Sequence, residues 1–211
     1  MVNFTQLRIA VLATHGFEEL ELTEPLRAVR QTGAHVDVIA PPSARDEAQQ
    51  LGIDSQRIQG FHHMNKATSV PVDLYLDQEM ANADNYHGLI LPGGALNADR
   101  MRADPLVIKF VQEIQAAEKP MGIICHAPWI LISAGLVRGR TLTSYYAIKD
   151  DIKNAGGNWV DQGAVFDANW VTSRQPSDLV AFNSGFIELM SRPAPLMSDD
   201  VRRSAAQARI A

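Results

Sequence analysis

What this chain has little of narrows its class before any motif is read. It carries one cysteine, Cys125, in 211 residues. No internal disulfide can form, which fits a reducing compartment, and the cytoplasm is the expected location. No apolar run approaches the ~20 residues of a membrane-spanning helix, so no membrane partner is expected. Residues 1–7 are polar and lack the hydrophobic stretch of a secretion signal. Lys and Arg are not in excess. A net charge of −5 leaves no electrostatic footprint for nucleic acid. His62 and His63 are the one adjacent histidine pair, but neighbours in extended chain point opposite ways and no third ligand accompanies them. Neither a metal nor any other cofactor is expected. No internal repeat is present.

What remains is an ordinary globular composition, 46% hydrophobic and 20% charged. The length suits a single domain over residues 1–211, with a core spanning about residues 8–190 and a C-terminal tail at 191–211. Leu7 to Thr14 reads as a buried strand. Thr23 is placed to cap a helix with Pro25 in its first turn, stopped at Gly33, and His35 to Ala40 reads as a second strand. Residues 41–60 form a polar connection with room for one helical turn. Arg57–Gly60 and Ser69–Leu76 suit an antiparallel excursion around a loop at 61–66. Tyr86 to Leu91 is another buried strand, running into Pro92-Gly93-Gly94. A helix opens at Asp104-Pro105. Thr141–Ser144, Trp159-Val160, Ala164–Asp167 and Trp170–Ser173 read as strands, Ile148–Asn154 as a helix, and Pro176 opens a final helix to about Met190. Strands alternating with helices predict an α/β sandwich with a mostly parallel sheet and a site at the carboxyl ends of its strands. Three loops then converge there: those after Thr14 and Leu91, and the corner at Cys125.

That corner is the most informative stretch. Gly122–Ile124 is an apolar strand, and Ala127-Pro128-Trp129 begins a helix that stops at Gly135. A strand that becomes a helix within one residue holds the intervening side chain out over the sheet, as a nucleophile elbow does. A helix N-terminus there also favours a thiolate. On this context alone Cys125 is either a reactive thiol or a buried inert one.

The segment CHAPWILISAGLVRGRTLTSY followed by IKDDIKNAGG resembles the signature region of the ThiJ/PfpI superfamily, and its PfpI-type intracellular peptidase and general stress protein branch in particular. The family's Cys-His-Gly-Pro stands here as Cys125-His126-Ala127-Pro128, and the likeness runs from Arg8 to about Met190. The resemblance implies a flavodoxin-like three-layer fold with Cys125 as nucleophile. It implies that His126 works with the cysteine and with an acid from an adjacent subunit, although consecutive side chains on an elbow diverge and His126 need not meet the sulfur. It implies that Glu18, in GFEELEL, supplies a protonated carboxyl to the sulfur, with Glu19 and Glu21 read as ordinary solvated acids. Gly93 and Gly94 match the family's Pro-Gly-Gly and offer amides for an oxyanion hole or substrate binding. Asp99 stands near the position of the family's cross-subunit glutamate, but it is shorter and its loop is one residue longer. The expected function is a cysteine-dependent stress-protective enzyme acting on carbonyls, either glyoxalase III- or deglycase-like on a small carbonyl compound or peptidase-like on a short peptide, in a homodimer or higher homo-oligomer. The alternative is a non-enzymatic redox-sensing or chaperone-like stress protein that uses oxidation of Cys125.

Overall fold

The computed structural model describes residues 3–62 and 65–192. His63 and the tail from residue 193 onward, both discussed above, lie outside the described residues. In chain order the first elements are β1 (Arg8–Leu12), β2 (Phe17–Glu18), α1 (Glu19–Gln31), β3 (His35–Ala40), α2 (Ser43–Gln50), β4 (Arg57–His62), β5 (Asn65–Pro71) and β6 (Leu74–Tyr75). The middle of the chain forms β7 (Gly88–Leu91), α3 (Ala95–Ala103), α4 (Pro105–Ala116), β8 (Met121–Ile124) and α5 (Pro128–Ser133). The last part forms β9 (Thr141–Leu142), α6 (Lys149–Asn154), β10 (Asn158–Trp159), β11 (Val165–Asp167), β12 (Trp170–Ser173) and α7 (Leu179–Ser191).

Seven strands make the central sheet in the order β11-β12-β8-β7-β1-β3-β6. All its pairings are parallel except β11 with β12. The strands are apolar on both faces because helices cover both. The period of two shows in β1: Ile9, Val11 and Ala13 join one core, and Ala10 and Leu12 the other. The first core is closed by Leu22, Leu26 and Val29 of α1 and by Phe182, Phe186 and Leu189 of α7. The second is closed by Phe110, Val111 and Ile114 of α4, Leu131 of α5 and Ile152 of α6. This is the three-layer, doubly wound arrangement. Among the described residues no helix is long and apolar enough to cross a membrane.

Several boundaries differ from the sequence reading. Helix α1 starts at Glu19, before Thr23, whose hydroxyl donates to the Glu19 carbonyl at 2.8 Å from inside the helix. Pro25 sits within the helix and withholds the N–H that the Glu21 carbonyl would accept. The helix tolerates this because Glu21, Leu22, Pro25, Leu26 and Val29 all bury on one face. The connection after β3 holds the eight-residue α2 instead of a single turn. The excursion is β4 against β5, continuing to His62 and from Asn65 through the stretch read as a loop. Leu74-Tyr75 joins β3 in the main sheet. The segment after Gly94 is the helix α3, not a loop. Asp104 caps α4 as expected, accepting from the Leu106 amide at 2.8 Å.

Candidate active site

Cys125 lies between β8 and α5 with φ +64, a left-handed conformation that costs a non-glycine residue strain. Two backbone hydrogen bonds hold the corner. The Cys125 amide donates to Ser173 of β12 at 3.0 Å, and the Tyr145 amide donates to the Cys125 carbonyl at 2.9 Å. The cysteine is 7% exposed and faces a cavity of about 590 Å³ at the carboxyl ends of the central strands. Phe17, Leu96 and Tyr145 line much of the wall.

The loop after β1 and the turn after β7 are joined by one side chain. Asn97, fully buried in α3, accepts from the Thr14 amide at 2.7 Å and donates to the carbonyls of Pro92 and Gly93 at 3.0 and 3.2 Å. His15, also buried, accepts from the Gln59 amide at 3.0 Å through Nδ1, so its Nε2–H donates to Ala44 at 2.8 Å. It is a neutral structural histidine. The Glu18 amide donates to Gly93 at 3.2 Å. At Gly94, φ is +96, and a β-carbon would sit 2.3 Å from the Gly16 carbonyl. Only glycine fits this crossing.

Within this frame the Cys125 sulfur lies 3.1 Å from Nδ1 of His126. The two side chains that sequence reasoning expected to diverge therefore meet. His126 stacks on Tyr145, with ring centroids 4.9 Å apart, and meets the edge of Trp129 at 5.4 Å. Burial holds its imidazole below the usual histidine value, so the ring is neutral near pH 7. The amides of Gly94 and His126 face the sulfur.

The carboxyl beside the sulfur belongs to Glu21, not Glu18. Glu21 projects from the first turn of α1, is 0% exposed, and has neither oxygen in regular hydrogen-bond geometry with a described residue. The polar groups facing it are the Cys125 thiol and the Gly93 amide. Burial, followed by the charge of Glu18, pushes Glu21 up to about 8. Burial, followed by the charge of Glu21, likewise pushes the Cys125 thiol up. The amides of Gly94 and His126 pull it back without reversing the direction. The expected lowering by a helix end therefore loses to burial; α5 is six residues long and starts only at Pro128. Glu18 turns the other way. As the last residue of β2 it pairs with β4, and its carboxylate meets Nδ1 of His62 at 3.0 Å. Both glutamates line the cavity.

Gly93 and Gly94 stand where the sequence placed them, against the cysteine. Asp99 is exposed on α3 and does not line the cavity of its own chain. Among the described residues no group of His, Cys, Asp and Glu suits a metal ion. The side chains that sequence reasoning missed are Glu21, Asn97 and Tyr145. Glu21 left a readable signal: it falls in the helical stripe with Leu22, Pro25, Leu26 and Val29, where a solvated acid does not belong. The other two left none.

Residues 7–189 match the model of the DJ-1/PfpI family. The chain is 35% identical over 184 residues to the deglycase PfpI of Pyrococcus furiosus, covering 87% of this chain and 99% of that protein. It is 33% identical over 183 residues to the putative cysteine protease YraA of Bacillus subtilis, covering 87% of this chain and 98% of that one. Its fold superimposes on DJ-1 of Schizosaccharomyces pombe with a TM-score of 0.72 at 19% identity, over 96% of this chain and 98% of that chain.

Proposed function

Since the chain belongs to the DJ-1/PfpI family, we propose that it is a cysteine-dependent enzyme of deglycase or glyoxalase type, with Cys125 as the nucleophile toward a small reactive carbonyl. The observation that carries this reading is the 3.1 Å contact between the Cys125 sulfur and Nδ1 of His126 at the floor of the cavity. A thiol raised by burial does not ionise by itself near pH 7; it needs a base in contact. Neutral His126 is that base. As sulfur bonds to the carbonyl carbon, the thiol proton passes to Nδ1 and the carbonyl electron pair moves to oxygen. The amides of Gly94 and His126 are the nearest donors for that oxyanion. Gly93, whose amide faces Glu21, keeps the turn in place. Tyr145 holds the imidazole plane by stacking.

The names of the relatives divide between deglycase and putative cysteine protease. One feature favours the former: the cavity suits a small carbonyl or a single modified side chain better than an extended peptide.

The test is steady-state turnover of methylglyoxal by the wild type and Cys125→Ser. The wild type turns over, and the serine variant loses more than about tenfold, roughly 1.4 kcal/mol of barrier. Activity within tenfold of wild type removes Cys125 as nucleophile.

A second reading, oxidation sensing at Cys125, is favoured by the neutral buried carboxyl of Glu21 beside the sulfur, which can donate to a sulfinate oxygen. Intact mass after mild peroxide separates the two. A stable gain of two oxygens, with no methylglyoxal turnover in the reduced protein, selects this reading.

A further inference from the structure

The imidazole that serves Cys125 is oriented by rings. Among the described residues its one hydrogen-bonding contact is that of Nδ1 with the sulfur at 3.1 Å. A histidine base is commonly held as well by an acceptor on its second nitrogen. Here two aromatic contacts fix the plane. Tyr145 stacks on the imidazole, and the Trp129 ring meets it at an interplanar angle of 62°. Each ring is anchored in turn. Tyr145 is anchored by its backbone, whose amide donates to the Cys125 carbonyl at 2.9 Å. Trp129 is anchored by its side chain. It stands in the first turn of α5, and its indole N–H donates to Oδ2 of Asp151 in α6 at 2.7 Å, a short, charge-assisted bond. The Arg102 guanidinium of α3 lies over the same indole, 5.5 Å from its centroid, while its Nε–H donates to Ser133 Oγ of α5 at 3.1 Å. Neither Trp129 nor Asp151 is among the described residues that line the cavity.

An exposed acid in the first turn of a helix ordinarily needs no further explanation, since the helix dipole favours it there. Asp150 fits that account: it is exposed and meets Lys153 at 3.9 Å. Asp151, equally exposed, differs in holding the indole. We propose that Asp151 and Trp129 form a strut that keeps the His126 imidazole against the Cys125 sulfur. Trp129 is a positioning residue, and Asp151 acts through its indole N–H. Misplacing a reacting group by 1 Å can cost ~10²-fold in rate, so a carboxylate outside the cavity sets the reactivity of the thiol inside it. The inference rests on the reading of His126 as the base, but its test reads the thiol directly and needs no turnover.

Cys125 is the one thiol of the chain, so alkylation by iodoacetamide, followed by intact mass at about pH 7, reports it alone. Sulfur bonds to the methylene carbon, iodide leaves with the C–I electron pair, and the thiol proton passes to His126 and on to solvent. Asp151→Ala is expected to slow alkylation about tenfold, toward the rate of His126→Gln. Asp151→Asn keeps an acceptor oxygen without the charge, and is expected to stay within about twofold of wild type. Asp150→Ala removes a charge from the same turn and is expected to leave the rate as it is. The effect of Asp151→Ala is expected to vanish in the Trp129→Phe and His126→Gln backgrounds, as an action through indole and imidazole requires. Alkylation of Asp151→Ala at the wild-type rate overturns the strut. So does an equal loss in the His126→Gln background, which marks a packing role. So does a loss in Asp151→Asn as large as in Asp151→Ala, which marks a charge effect. The Asp151 variants lie at an exposed position and decide the matter if Trp129→Phe does not fold. Absence of methylglyoxal turnover in the wild type would sink the carbonyl reading and leave the alkylation result standing.

Discussion

Glu21 and Cys125 close on the same point from two sides. A β-carbon built on Gly93 would lie 2.2 Å from Glu21 Oε2 and 2.5 Å from Cys125 Cβ. Helix α1 and the corner after β8, distant in sequence, are thus packed against each other through a residue with no side chain. The carboxyl and the thiol are neighbours because nothing larger than hydrogen separates them.

Gly93→Ala tests this packing directly. The added methyl has to displace the Glu21 carboxyl, the Cys125 backbone or the turn itself, and each is buried. A loss of about 1–3 kcal/mol in denaturant unfolding is expected, the usual range for overpacking. Carbonyl turnover should fall further than stability explains, measured on protein still folded by circular dichroism. An alanine variant with wild-type stability and turnover would mean that the Glu21–Cys125 contact is not held by this glycine.

The proton on Glu21 has a consequence for stability. A carboxyl raised from 4.5 to about 8 on folding holds its proton in the native state over a range where the unfolded chain has lost it. Native protein then binds more protons than unfolded protein between these values, so stability falls as pH rises through the window. It is fully present below pH ~4.5 and lost by pH ~8. Glu21→Gln cannot titrate, so its stability should stay flatter across the same range. The gap between the two proteins is bounded by about 5 kcal/mol and should close or reverse toward pH 8. The measurement is urea unfolding of both at several pH values. Parallel curves from pH 5 to 8 would show that Glu21 is ionised throughout.

The sequence carried the layered fold because strand burial and helix stripes are local, periodic properties. LRIAVLAT, HVDVIA and the run before Cys125 all became parallel strands of the central sheet. Cys125, His126, Gly93 and Gly94 were legible as a group because a parallel sheet brings its carboxyl ends together. Choosing between Glu18 and Glu21 was not a motif question. It depended on where α1 begins, and Pro25 with Thr23 before it suggested a cap five residues beyond the actual one at Glu18. With the helix begun at Glu19, the stripe carries Glu21 inward and leaves Glu18 on a strand facing β4. Asn97 was illegible for a different reason. Helix α3 has almost no amphipathic stripe to betray it, and the Asn97 bond that joins the two loops reaches back to Thr14, far away in sequence.

Asn97→Ala follows from those bonds. The substitution removes the partner of the Thr14 amide and the Asn97 donor to the Pro92 carbonyl, while the Gly93 carbonyl keeps the Glu18 amide. Buried orphans of this kind cost about 1–3 kcal/mol each when water cannot reach them. A loss of at least ~2 kcal/mol is expected, with faster amide exchange at Thr14. Asn97→Asp retains the acceptor but not the donor, and should recover part of the loss at Thr14 alone. An alanine variant within 0.5 kcal/mol of wild type, the range of ordinary surface changes, would show that the two loops hold together without it.

Asp99 decides whether the site is complete in one chain. It is exposed on α3, next but two to Leu96, which is 46% exposed and lines the cavity. An acid so placed does not line the cavity of its own chain. Self-association, which the ThiJ/PfpI resemblance implies, is expected as a dimer or higher oligomer in light scattering at micromolar concentration. Even then the aspartate is one methylene shorter than the glutamate the ThiJ/PfpI resemblance leads one to expect, and His126 already serves as a neutral base, a role that needs no carboxylate. Asp99→Ala is accordingly expected to keep its assembly and at least about a tenth of wild-type carbonyl turnover, while Cys125→Ser loses far more; one decade is about 1.4 kcal/mol of barrier. If any peptidase activity exists, it should be the more sensitive of the two to Asp99→Ala, because expelling an amine requires the charged imidazole that an acid would stabilise. A monomer in solution would remove Asp99 from the site altogether. An equal loss in the Asp99 and Cys125 variants, with assembly intact, would instead establish a triad shared between two chains and would bring the peptidase reading back ahead of the deglycase one.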